Sequence, residues 1–131
     1  MTERLSNRDA RPLLLSPHGL TEPAHRKLTT SQLEARIEQI GFVQVDSINT
    51  VERAHHMILH ARNRTYRPKQ LTQLIEHDRS MFENWTHDAS IIPTQYYPYW
   101  RARFRKTGIR LRDRWRKHRR EGFEVEMDTV L

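Results

Sequence analysis

Apolar residues fall along this chain in short groups with either helical or alternating spacing. Leu33, Ile37 and Ile40 recur at three- and four-residue intervals behind Ser31-Gln32-Leu33-Glu34, a capping-box pattern, and Gly41 supplies a stop. A helix over 31–40 is predicted. The stretch 42–48 is β-branched and alternating, so it reads as a half-buried strand with Val43 and Val45 toward the core. Val51, Ala54, Ile58 and Ala61 return to helical spacing and predict a helix over 51–62, with Asn49 or Thr50 as its cap. An earlier helix over 9–15 would turn Ala10, Leu13 and Leu14 inward with Pro12 in its first turn, and Pro17, Gly19 and Pro23 then mark a loop.

Beyond residue 62 the pattern is less regular. Pro68 opens a helix carrying Leu71, Leu74 and Ile75, whereas 81–93 reads as irregular or short-strand structure anchored by Phe82, Trp85, Ile91 and Ile92. Thr94 caps a helix toward Lys106, Gly108 interrupts it, and an Arg-rich helix follows from 109 to 120. Several helices around one or two short strands predict an α+β, mostly helical fold, of the helix-turn-helix or winged-helix kind. The expected division is a module over 9–106 and a basic helix and tail over 107–131.

Composition narrows the function. The 131 residues suffice for one ordinary core. Without cysteine there is no thiolate metal site, disulfide or cysteine nucleophile, and a reducing, cytoplasmic setting is the expectation. The longest apolar run, Leu13-Leu14-Leu15, predicts no membrane span and no membrane partner. The formal charge is +7, and it is uneven: 101–120 holds 11 bases and one acid, leaving 12 bases against 15 acids elsewhere. A basic stripe on a neutral-to-acidic body fits phosphate contacts, which makes Arg112, Arg116 and Arg119 candidate DNA-binding residues. Docking on an acidic partner is the other use of such a face. Tyr96, Tyr97, Tyr99 and Trp100 precede the stripe and could stack on bases or fill a core.

Gln44 and Asp46 are the candidate catalytic pair. Residues two apart on a strand share a face and lie about 6.5 Å apart. A carboxylate beside an amide can orient a water and stabilise positive charge developing on a sugar. Any half-exposed strand also alternates polar residues in this way. Asn49, Arg53, His55 and His56 follow, and helical spacing would bring Asn49, Arg53 and His56 near one side as DNA contacts, unless the imidazoles fill a helix seam. His56 and His60 are four apart, but Met57 replaces the Glu of an H-E-x-x-H helix, and no metal site is expected.

Taken together, these segments resemble the first module of the AlkZ-like DNA glycosylases, which unhook interstrand crosslinks and remove alkylated bases. The resemblance runs from Asp9 to Lys106. It is carried by Gly41-Phe42-Val43-Gln44-Val45-Asp46-Ser47-Ile48-Asn49 with Glu52-Arg53-Ala54-His55-His56, and by Met81-Phe82-Glu83-Asn84-Trp85-Thr86-His87-Asp88-Ala89-Ser90-Ile91-Ile92-Pro93. His18-Gly19-Leu20 stands where the family has Q-G-L. The resemblance implies a monofunctional glycosylase that hydrolyses the N-glycosidic bond of N7-alkylguanine, with Asp46 and Gln44 in the family's catalytic signature and no cofactor. Family members continue into further winged-helix units and a β-barrel. The chain is therefore expected to be an amino-terminal fragment, a truncated product or a reduced relative, acting alone or with a partner chain that supplies the missing modules. A non-catalytic winged-helix binder and an inactive remnant are the alternatives.

Overall fold

Ser6 opens the first helix, α1 (Asn7–Leu15), by accepting the backbone N–H of Asp9 on its hydroxyl. The computed structural model describes residues 4–118, 122, 123 and 125. Leu13 and Leu14, expected on the inner side of α1, are 63% and 65% exposed, and α1 buries none of its residues. Pro12 lies beyond the first turn, where its ring removes a backbone donor, and the seven-residue pattern over 9–15 is too short to fix a buried face.

Helix α2 (Thr30–Ile40) is closed at its start by Thr29 and Gln32, not by Ser31 and Glu34: Thr29 Oγ1 accepts from Gln32 N and the Gln32 side chain accepts from Thr29 N. Both pairs satisfy the capping pattern, and the upstream one adds a helical residue while leaving Leu33 and Ile37 buried. Gly41 ends the helix at φ +86°, a conformation that L side chains adopt at a cost.

Strand β1 is only Val43–Gln44. Residues 81–93, read as irregular or short-strand structure, form a hairpin of β2 (Met81–Trp85) and β3 (Ala89–Pro93). All pairings are antiparallel and the order is β1-β3-β2, with Gln44 opposite Ser90 and Trp85 opposite Ala89. The sheet thus has three strands where one or two were anticipated. Helix α3 (Ala54–Arg62) starts three residues later than its periodicity predicts; Arg53 is its N-cap and Val51 is 86% exposed. Helix α4 (Pro68–Thr72) runs into a π-helical turn, Gln73–His77, in which Asp78 N donates to Gln73 O. Leu33, Ile37, Val43, Leu59, Tyr66, Leu71, Leu74, Met81 and Ile91 form one core cluster, so α2, α3, α4 and the sheet meet on shared apolar side chains.

The chain clusters into two compact units, Met1–Gln95 and Tyr96–Leu131. In the second, α5 (Tyr97–His118) passes through Gly108 without a break. A glycine costs a helix about 1 kcal/mol relative to alanine, which the strong helix formers within a turn on either side, Arg105 and Lys106 before it and Arg110 and Leu111 after it, offset. Tyr97 packs on Phe104 with ring centroids 5.5 Å apart, and Trp115 meets Phe123 edge-on at 5.8 Å. The fold is α+β and mostly helical, and its order of helix, strand, two helices and hairpin from α2 to β3 is compatible with a winged helix.

Candidate functional site

Backbone pairing carries the extended segment one residue past β1, since Val45 N donates to Ala89 O at 2.8 Å. Within it Val43 is buried and Val45 packs on the core cluster, while Gln44 and Asp46 are half-buried. The segment is shorter than the 42–48 strand predicted from alternation. Asp46 Oδ1 accepts the backbone N–H of Ile48 at 2.8 Å, a turn that takes the chain away from the sheet and leaves Ile48 70% exposed.

Gln44 is held across the sheet. Its Nε2 donates to Asp88 Oδ2 at 3.1 Å, and Asp88 Oδ1 accepts from Ala89 N at 2.9 Å. The carbonyl of Asp88 in turn accepts from Thr86 N at 2.9 Å and from Ser90 Oγ at 3.0 Å. Asp88 was not nominated as a site residue from the sequence. Its place within the 81–93 motif was the signal available.

Asp46 lies within electrostatic reach of His55, at the start of α3. His55 is 6% exposed, its Nδ1 has no hydrogen-bond partner among the described residues, and its ring centroid is 4.2 Å from that of His56. Burial depresses the proton affinity of His55; His56 and Arg53 depress it further, against the opposing pull of Glu52 and Asp46. His56 is also depressed, chiefly by burial, with Glu52 opposing. Its Nδ1 is 2.7 Å from Tyr66 Oη, and burial followed by the field of Glu52 raises the phenol well above its ordinary range. Tyr66 therefore keeps its proton, and whether its hydroxyl donates to His56 Nδ1 or accepts from it follows the tautomer of the imidazole.

The remaining candidates are placed as follows. Asn49 and Arg53 are exposed in the segment before α3. Because the helix begins only at Ala54, the helical spacing that would have put Asn49, Arg53 and His56 on one side does not apply. Arg53 N donates to Glu52 Oε1 at 2.8 Å. His55 is buried, whereas His56 is half-buried. Arg112 and Arg116 are exposed on α5, Arg116 lying 3.9 Å from Asp113. Arg119 lies outside the described residues. Among the described residues no three His, Asp or Glu side chains gather as a cation cluster, and no helix is long and apolar enough to cross a membrane.

No solved structure matches the chain. A family model described as DNA glycosylase AlkZ-like matches residues 37–131, a span that includes Gln44, Asp46, Asp88 and both imidazoles.

Proposed function

The chain belongs to the AlkZ-like DNA glycosylase family, and we propose that it binds duplex DNA and hydrolyses the N-glycosidic bond of an alkylated base, N7-alkylguanine or a crosslinked guanine, from the Gln44–Asp46 pair. N7 alkylation already places positive charge on the purine, so the base departs neutral with the electrons of its bond to C1′. A strong general acid is then dispensable. The task left to the protein is to stabilise the sugar cation and supply water. Asp46 suits it, with Oδ1 tied to Ile48 N and the carboxylate oriented by that turn. As the oxygen of water bonds to C1′, the carboxylate takes the proton and later releases it to solvent. The products are an abasic sugar and a free base, with no covalent enzyme intermediate.

The observation that carries this reading is the pair of half-buried polar residues on either side of core-packed Val45, inside the span of the family match. On a winged-helix reading, α4 and its π-helical turn would be the second helix of a helix-turn-helix and the β2–β3 hairpin the wing. Asn49, Arg53 and His56 would contact DNA near the lesion, with His55 behind them, while Arg112, Arg116 and Arg119 would contact phosphates.

Incubation with a duplex carrying one N7-methylguanine tests the proposal. Abasic sites are expected to form, and Asp46→Asn is expected to slow their formation by at least about a hundredfold. Binding without abasic sites would replace the enzyme with a non-catalytic binding module.

A further inference from the structure

We infer that Asp88 is a positioning residue that decides which end of the Gln44 amide faces the substrate. The orientation stands on geometry alone, and its kinetic consequence rests on the glycosylase reading above. A primary amide carries a donor end and an acceptor end of nearly equal size and can present either. A carboxylate only accepts. With Asp88 Oδ2 3.1 Å from Gln44 Nε2, the NH₂ end is committed inward and Oε1 is turned away from Asp88.

The carboxylate is itself fixed by the hairpin turn. Oδ1 is occupied by Ala89 N, and the Asp88 carbonyl is bonded by Thr86 N and by Ser90 Oγ. Ser90 is 1% exposed and is the register partner of Gln44, and Asp88 is the turn residue directly before β3, so the donor sits on β1 and the acceptor one residue ahead of the strand paired with it.

This orientation has a chemical consequence. A water held by two acceptors, Gln44 Oε1 and the Asp46 carboxylate, spends both protons on the protein and keeps a lone pair for C1′. A flipped amide would instead donate to that lone pair and blunt the nucleophile. Asp88 touches neither water nor sugar in this scheme and acts only through Gln44.

The test is a double-mutant cycle on the full chain with the N7-methylguanine duplex. In Asp88→Asn a single side-chain oxygen must choose between Gln44 Nε2 and Ala89 N, so kcat is expected to fall roughly 10- to 100-fold with KM unchanged. In a Gln44→Ala background the same substitution is expected to add nothing. An equal loss in both backgrounds would overturn the inference. A second readout needs no turnover: in the wild-type chain the Gln44 side-chain NH₂ should show one downfield, slowly exchanging proton by NMR. Resonances typical of a free amide would overturn the inference even if Asp88→Asn failed to fold. A bonded amide in a chain that forms no abasic sites would uphold the orientation and sink the glycosylase reading.

Discussion

His55 and His56 enter the fold as neutral rings, and that makes stability depend on pH with a definite sign. Folding moves both below the ordinary value of 6.5, mainly through burial. The unfolded chain then binds more protons than the folded one between the folded values and 6.5. Their contribution is fully present above about pH 6.5 and is lost as pH falls through that value toward the folded ones. The melting temperature is expected to drop between about pH 7.5 and pH 5.5, and to drop less in His55→Gln. Tyr66 supports the same pair. Tyr66→Phe removes the hydroxyl that bonds His56 Nδ1, and should cost about 1 kcal/mol in a denaturant titration.

Elements differ in how openly the chain announces them. Helix α2 was legible because Leu33 and Ile37 point one way and Gly41 stops it, and Leu71 and Leu74 likewise marked the helix after Pro68. The hairpin was not, because β3 is the central strand: Ser90, Ile91, Ile92 and Pro93 are all buried, so the two-residue alternation that reveals a strand is missing. β1 was read too long for the opposite reason. Its alternation continues to Ile48, but the partner strand begins at Ala89 and offers nothing further to pair with. Gln44 and Asp46 were visible as candidates from spacing and motif, whereas Asp88, 44 residues from Gln44, meets it only once the sheet has formed. Two substitutions examine the elements. Leu74→Ala, at a fully buried site of the π-helical turn, should cost about 2–5 kcal/mol in denaturant unfolding. Gly108→Ala, where an added Cβ meets nothing within 4 Å among the described residues, should stabilise α5 by about 0.5–1 kcal/mol, seen as a gain in helical circular dichroism.

At the scale of the whole molecule the charge is concentrated on α5. Arg101, Arg105, Arg112 and Arg116 recur at intervals of four and seven, so helical geometry sets them along one stripe of roughly 22 Å. The exposed pairing of Arg116 with Asp113 offsets little of it. If the stripe meets phosphates, log affinity for duplex DNA should fall with log salt by about 0.9 per contact, and neutralising Arg112, Arg116 and Arg119 should flatten the slope by up to about three contacts. An affinity indifferent to salt would assign the stripe to an acidic protein instead. Cohesion is as uneven as charge. α1 puts no side chain into the core, yet just past its end Arg62 Nε bonds the carbonyl of His18 at 2.8 Å, and the buried Gly19 lies beneath Arg36. The amides of Asp9 to Arg11, Leu13 and Leu14 should therefore trade their hydrogens for deuterium long before those of α2, through an opening that peels back along α1 and halts at that clasp, while the core residues keep their protection.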